Sequence, residues 1–282
     1  MYARHARRCR VCRYVARRVV AIVAATSSGV PRGEWDLRVK LSAAKRMIDR
    51  AGMGVSVWGH ASVRCPQDAS RMLIAPFGES FSHATASGLE SRPLHPGALD
   101  AAEAAATNVT AVVLHGAVYA ARPDARCVLH THSPHCTAVA AADLRLDAAI
   151  TQDAMQFLGR VAYHDFQGVA DEAEEMAAVA EAARGADALF LRNHGVIIVG
   201  EDVERAYSRL FYLERCCQTQ LLVSVRRSLL CQQTFARAQC VNSGQADVLL
   251  TLCCVRERVC SSADGRAVRT QRCVCSTRLR CV

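Results

Sequence analysis

The sequence predicts an α/β fold, because segments with helical periodicity alternate along the chain with short apolar runs typical of strands. Residues 34–50 form the clearest helical segment, since apolar side chains recur at helical spacing from Leu37 to Ile48. Short apolar runs end at Leu129 and Leu191, as expected for buried strands. With 282 residues, of which 51% are hydrophobic and 22% charged, the chain can bury a substantial core.

The remaining elements follow from the same two periodicities, with proline and glycine marking several of their ends. Residues 76–106 show neither period and are expected to form loops. The predicted helices are 34–50, 108–121, 133–142, 171–184 and 203–223. The predicted strands are 55–64, 71–75, 127–129, a short segment after Gly159, and 188–191.

Charge divides the chain into three parts. The net charge of +9 comes from the two ends, because residues 1–33 hold eight arginines and no acid, and residues 225–282 hold ten arginines against three acids. This leaves 17 of the 35 basic and 23 of the 26 acidic residues in the middle, a net charge of −6. The basic pI is therefore no evidence for nucleic-acid binding. We expect a basic extension at 1–33, a domain at 34–225 and a Cys/Arg-rich, disordered tail at 226–282.

Cysteine usage follows the same division. Only five of the fifteen cysteines lie in the middle part, and their spacing does not repeat, so we expect a reducing compartment rather than a disulfide framework.

The arginine-rich, acid-free residues 1–33 are typical of a mitochondrial targeting segment, and equally of an extension that never folds. The apolar run 19–25 is too short to span a membrane, so no transmembrane segment is expected.

A candidate metal site lies at the end of the apolar run 127–129. His130 and His132 follow this run, and side chains two residues apart on a strand point to the same face. A third histidine, His194, precedes Gly195 between two apolar runs, where we expect a tight turn that glycine permits by its backbone freedom. Three histidines leave a coordination position open for water or substrate, as in catalytic zinc sites.

Four motifs carry a family resemblance: Arg-Pro-Asp at 122–124, His-Thr-His at 130–132, Asn-His-Gly at 193–195, and the segment 212–220. In order and spacing they resemble the class II aldolase and adducin head family. The resemblance implies a three-layer α/β/α fold with a mostly antiparallel central sheet. It also implies that His130, His132 and His194 bind zinc or another divalent metal, and that the protein forms a homo-oligomer, by resemblance a tetramer.

Two positions depart from the aldolase branch of that family and favour its adducin-like branch. The catalytic glutamate of the aldolases matches Ala111 here, so the catalytic acid/base is unknown. Their substrate-binding Gly-Asn loop and the following strand match Gly59, His60 and Ser62, with histidine in place of asparagine. The resemblance thus predicts these three residues as substrate-binding positions.

The resemblance leaves two functions open. In the first, the protein is a zinc-dependent lyase or isomerase that acts on a small hydroxy-carbonyl compound. In the second, it is a catalytically silent scaffold similar to the adducin head, with cytoskeletal proteins as partners and an association with actin. Both functions imply a cytoplasmic protein, with mitochondria as the alternative suggested by residues 1–33.

Overall fold

The computed structural model describes residues 29–165 and 173–242, with side chains for 29–165 and 174–225. The chain divides into two compact units, Met1–Arg226 and Arg227–Val282. Most of the predicted basic extension lies outside the described residues, as does the start of the helix predicted at 171–184. The predicted tail at 226–282 is described only as helix backbone up to Asn242. The domain boundaries predicted from charge therefore stay predictions.

In residues 29–165 and 173–242, seven strands form one sheet in the spatial order β3-β2-β1-β4-β7-β6-β5. Five of the six neighbouring pairs are antiparallel, and only β5 and β6 run parallel, joined through a helix as such pairs require. This confirms the mostly antiparallel sheet. The strands are β1 (His60–Arg64), β2 (Arg71–Ile74), β3 (Glu90–Pro93), β4 (Cys127–Thr131), β5 (Val161–His164), β6 (Ala188–Leu191) and β7 (Gly195–Gly200).

Within the part of the chain that the structure describes, six α-helices flank this sheet, and several begin with the residues that favour helix starts. Asn108 caps α3 by accepting a hydrogen bond from the Thr110 backbone, and Pro134 occupies the first turn of α4. Among the described helices, none is both long and apolar enough to cross a membrane. The helices are α1 (Arg32–Arg50), α2 (Ala101–Ala106), α3 (Val109–Ala121), α4 (Pro134–Ala141), α5 (Ala173–Ala182) and α6 (Val203–Asn242).

Strand residues of alternating position pack into two separate hydrophobic clusters, one on each face of the sheet. Leu129 and Ile198 belong to the cluster shared with α1, α4 and α6. Val128 and Ile197 belong to the cluster shared with α3 and α5. Because neighbouring residues on a strand point to opposite faces, helices cover both sides of the sheet. The three-layer α/β/α prediction is confirmed.

Four elements differ from the sequence prediction. β1 begins only at His60, because residues 56–58 form a turn and Ser56 has a positive φ of 44°. β3 and α2 lie within residues 76–106, where loops were predicted. The helix α6 runs to Asn242, well past the predicted end at residue 223.

Candidate metal centre

Four histidines lie close together at one end of the neighbouring strands β1, β4 and β7, because the start of one antiparallel strand lies beside the end of the next. His60 begins β1 and pairs directly with His130 in β4. His132 lies just after β4, and His194 lies just before β7. The β4–β7 pairing of Thr131 with Val196 holds these two strand ends side by side.

Three of these histidines have the geometry of a metal site. One ring nitrogen from each of His130, His132 and His194 lies within 4.8 Å of the other two. The three ring centroids are 4.7–5.0 Å apart. His130 is buried, whereas His132 and His194 are half-buried, so the group opens toward solvent on the side of the latter two.

The donor atoms of this group fit zinc. His130 Nδ1 lies 3.2 Å from the carbonyl oxygen of Val196, which can only accept, so Nδ1 carries the proton and Nε2 keeps its lone pair. His130 Nε2 and His132 Nε2 are 3.1 Å apart. Two nitrogen atoms bound to one tetrahedral zinc ion at the usual bond length are about 3.3 Å apart. A backbone carbonyl that fixes the tautomer of a ligand histidine is also typical of metal sites.

The environment of the group keeps its rings neutral, which is the form that binds metal. Burial and the neighbouring histidines hold the pKa of His130 well below its usual value. Burial lowers the pKa of His132, and burial together with His132 lowers the pKa of His194 to about 4. The electrostatics therefore favour metal binding at neutral and mildly acidic pH.

Gly195 is required for space rather than for its backbone conformation. In the turn before β7, the positive φ belongs to Asn193, at 57°. A Cβ atom at Gly195 would lie 2.5 Å from the Thr131 carbonyl oxygen and 2.8 Å from His132 Cδ2. The expectation that Gly195 supplies the turn geometry is therefore wrong; its lack of a side chain lets β7 approach Thr131 and His132.

Of the three predicted substrate-binding residues, Gly59 directly precedes β1, and His60 and Ser62 lie within it. Gly59 approaches the His130 carbonyl oxygen, and a Cβ atom there would lie 3.4 Å from it. His60 is 7% exposed, and its ring centroid is 4.6 Å from that of His130. Ser62 is fully buried and contacts His115 and Tyr119 through its hydroxyl. Substrate binding by these residues stays a prediction.

One further residue, His115, extends the site toward α3. His115 is fully buried and forms hydrogen-bond contacts with both His60 and Ser62. In the sequence, the one signal of this role is the position of a histidine in a largely apolar helix. Ala111 lies one turn earlier in α3, fully buried in the cluster that α3 shares with the sheet. A methyl group thus occupies the position that resemblance assigns to a glutamate.

Glu214, within the fourth of the resemblance motifs, supports the start of α4 just after His132. Its carboxylate accepts hydrogen bonds from the backbone N–H groups of His135 and Cys136, both at 3.0 Å, and from the His135 ring at 2.7 Å. A carboxylate is favourable at a helix N-terminus, where the backbone N–H groups have no partner in the helix.

The Arg-Pro-Asp motif lies at the other end of β4, away from the histidines. Arg122 pairs with Asp124 at 2.7 Å, and at 3.6 Å with the buried Asp187. Asp187 also pairs with Arg160 and Arg209. This motif therefore contributes ion pairs at the end of β4 that lies away from the candidate metal centre.

Sequence comparison identifies the family. Residues 39–221 match the family model described as the class II aldolase and adducin N-terminal domain. Rat alpha-adducin is 37% identical over 192 residues, which are 67% of this chain and 26% of alpha-adducin. The chain thus spans about a quarter of the adducin that it matches.

Solved structures agree with this assignment. An aldolase II superfamily protein from Pseudomonas syringae is 33% identical, with a TM-score of 0.64 over 70% of this chain and 79% of that protein. L-fuculose 1-phosphate aldolase from Glaciozyma antarctica is 27% identical, with a TM-score of 0.61 over 74% of this chain and 81% of that protein. By sequence and by fold, this chain belongs to the class II aldolase and adducin N-terminal domain family.

Proposed function

We propose that the chain binds one divalent metal ion through His130, His132 and His194, and that it acts as a lyase or isomerase on a small hydroxy-carbonyl compound. The observation that supports this best is the convergence of three ring nitrogens within 4.8 Å, one of them with its tautomer fixed by a backbone carbonyl. A nitrogen-only set of three ligands suits zinc and leaves a position for a substrate oxygen.

The arrangement of the chain's own residues suits this chemistry. A bound zinc ion would supply Lewis-acid polarisation of a carbonyl oxygen. The half-buried His132 and His194 leave the open side of the group accessible to a small molecule. His60 lies beside the group and can contact such a molecule from the β1 side.

The alternative is a catalytically silent scaffold similar to the adducin head and associated with the actin cytoskeleton. Ala111 favours it, because a methyl group cannot transfer a proton, and a positioned acid or base contributes about 10²–10⁴-fold to such reactions. The similarity to rat alpha-adducin points the same way. Both proposals include a cytoplasmic homo-oligomer, with a tetramer as its expected state and mitochondria as the alternative location.

Metal content after dialysis tests the metal centre. The full chain should retain about one zinc ion more than the variants His130→Ala, His132→Ala and His194→Ala. His83→Ala is the matched control, because His83 is exposed and remote in sequence from the three ligands. The comparison between variants matters since the fifteen cysteines could also hold zinc. Equal metal content in all four variants would contradict the site.

Turnover separates the enzyme from the scaffold. With Ala111 in place of an acid/base, we expect little or no cleavage of sugar phosphates by the unmodified chain. Turnover of an unphosphorylated hydroxy-carbonyl compound that is lost on chelation would establish the enzyme. Complete inactivity of zinc-loaded protein across such compounds would favour the scaffold.

A further inference from the structure

A continuous chain of buried polar contacts leads from α3 to the edge of the metal centre. Tyr119 Oη lies 3.2 Å from the Ser62 carbonyl oxygen and 3.0 Å from Ser62 Oγ. Ser62 Oγ lies 2.6 Å from His115 Nδ1, and His115 Nε2 lies 2.8 Å from His60 Nδ1. Tyr119, Ser62 and His115 are each at most 2% exposed, so these groups depend on one another for hydrogen bonds.

The backbone carbonyl at one end fixes the direction of the first two hydrogen bonds. A carbonyl oxygen can only accept, so the contact with the Ser62 carbonyl requires the single hydroxyl proton of Tyr119. The contact between the two hydroxyl groups is then a hydrogen bond only if Ser62 donates to Tyr119. Ser62 has no second proton to give to His115.

The same counting continues through the two histidines. Because the Ser62 proton is used, His115 Nδ1 must carry a proton and donate it to Ser62 Oγ. Burial, together with His130, lowers the pKa of His115 to about 3, so this ring is neutral and its Nε2 is an acceptor. His60 must then donate from Nδ1. A neutral His60 with its proton on Nδ1 has a lone pair on Nε2, the ring nitrogen that remains for the site.

Two cations among the described residues, Lys45 and Arg192, are each paired with carboxylates. Burial first, then the neighbouring histidines and last Lys45 lower the pKa of His60, and the Lys45 Nζ lies 2.9 Å from Glu79 Oε1 in an ion pair. Arg192, next to the His194 turn, pairs with Asp165 at 2.8 Å and also with Asp143. A phosphate group is anionic and consists mostly of hydrogen-bond acceptors. Beside His60 it would face the lone pair of Nε2, and neither Lys45 nor Arg192 would offer it an unpaired positive charge.

We propose that His60 is a hydrogen-bond acceptor of the site, with its polarity fixed by Tyr119, Ser62 and His115, so that the site selects an unphosphorylated hydroxyl compound over a phosphate ester. This inference rests on the proposed binding of a small hydroxy-carbonyl compound beside the three histidines. It assigns His115, Ser62 and Tyr119 as positioning residues that act through His60.

Histidine tautomers measured by ¹⁵N NMR test the polarity without any assay of activity. In the full chain, with and without zinc, both His60 and His115 should carry their proton on Nδ1. A proton on Nε2 of His60, as the main form or in comparable population, would overturn the inference. The result does not depend on metal binding, so it can fail or hold independently of the proposed function.

Tyr119→Phe should reverse the direction of the hydrogen bonds that connect Ser62, His115 and His60. Without the tyrosine hydroxyl, the buried Ser62 can satisfy its proton only by donating to His115 Nδ1, which moves the proton of His115 to Nε2 and that of His60 to Nε2. Tyr207→Phe on α6 is the matched control and should leave both tautomers unchanged. Unchanged tautomers in Tyr119→Phe, with its fold verified by circular dichroism, would contradict the assigned polarity.

Binding of dihydroxyacetone and of its monophosphate ester to the zinc-loaded full chain tests the selectivity. Dihydroxyacetone should shift the His60 ¹⁵N signals, and the ester should bind no more tightly. Tighter binding of the ester by about tenfold, or about 1.4 kcal/mol, would overturn the inference. Failure of both compounds to shift the His60 signals would overturn it as well, whereas a chain that retains no zinc would contradict the proposed metal centre.

Discussion

Gly195 shows how a single residue determines the geometry of the candidate metal centre. Because a Cβ atom there would overlap the Thr131 carbonyl oxygen and His132, Gly195→Ala should push β7 away from the end of β4. We expect a loss of about 1–3 kcal/mol in the free energy of unfolding. We also expect weaker zinc retention, because His132 is displaced. Urea unfolding and metal analysis measure the two effects.

Gly33→Ala is the control for this variant. A Cβ atom at Gly33 meets nothing within 4 Å, and alanine favours the helix α1 in which it lies. The control should match or slightly exceed the stability of the parent chain. If Gly195→Ala is as stable as Gly33→Ala and retains its zinc, close approach at this turn is not what Gly195 provides.

His115 links stability to pH. Its pKa is about 3 in the folded chain, because of burial first and of His130 second, against 6.5 for an ordinary histidine. Between pH 6.5 and 3, His115 therefore binds a proton in the unfolded chain but not in the folded chain. The stability that neutral His115 contributes is complete above pH 6.5 and is lost as the pH falls from there toward 3, by roughly 1.4 kcal/mol per pH unit for one group.

The matching experiment is urea unfolding of the metal-free full chain between pH 7 and pH 5. The free energy of unfolding of His115→Gln should fall less steeply with pH than that of the parent, by a slope that corresponds to at most one proton. The free energy of unfolding of His83→Gln should follow that of the parent. Parallel pH profiles for the parent and His115→Gln would show that His115 is not kept neutral by the fold.

The sequence indicates the place of some residues in the candidate site but not of others. The convergence of His130, His132 and His194 could be predicted, because the His-x-His spacing places two rings on one face of a strand and the family resemblance adds the third. The roles of His115 and Tyr119 could not, because their partners His60 and Ser62 lie 53–57 positions away along the chain. Only the pairing of β1 with β4, and the packing of α3 on that face, brings them together.

Glu214 connects two elements, α6 and the start of α4. Burial raises the pKa of Glu214, but the hydrogen bonds from His135 and Cys136 outweigh burial and lower it overall, so the carboxylate is charged at neutral pH. Glu214→Ala should cost roughly 2–4 kcal/mol in urea unfolding, because two backbone N–H groups at the start of α4 lose their acceptor. Zinc affinity should fall too, since α4 begins two residues after His132.

The exposed Glu181 provides the comparison. It pairs with Arg184 at the surface, and Glu181→Ala should change stability by no more than about 0.5 kcal/mol. Equal stability of the Glu214 and Glu181 variants would mean that Glu214 does not hold the start of α4.

Among the elements, long periodic segments were predicted well and short polar ones were not. The helices α1, α3 and α4 follow from apolar spacing and from Asn108 and Pro134 at their starts. β3 was missed because Glu90–Pro93 has no apolar alternation; it is held instead by its pairing with β2. α2 was missed because its capping box, Asp100 with Glu103, opens a run of alanines that has no periodic face.

At the scale of the whole molecule, we predict that residues 34–225 are sufficient for the fold. The family model matches residues 39–221, and the two hydrophobic clusters are built from residues within 34–225. Thermal unfolding of a 34–225 fragment should coincide with that of the full chain. A fragment that does not fold, or that melts well below the parent, would assign a structural role to the ends.

The order of strands in the sheet could not be read from apolar patterns, because it depends on contacts between distant segments. The α/β class followed from periodicity, whereas the antiparallel sheet with helices on both faces followed only from the family resemblance. The strand order places β1 beside β4 and thereby His60 beside His130, a contact on which the candidate site depends.

X-ray absorption spectroscopy of the zinc-loaded full chain can show whether His130, His132 and His194 hold a zinc ion. We expect nitrogen and oxygen neighbours of zinc at about 2.0–2.1 Å, and loss of this signal in His130→Ala but not in His83→Ala. A spectrum dominated by sulfur at about 2.3 Å, unchanged in His130→Ala, would place the zinc on cysteines and contradict the proposed centre.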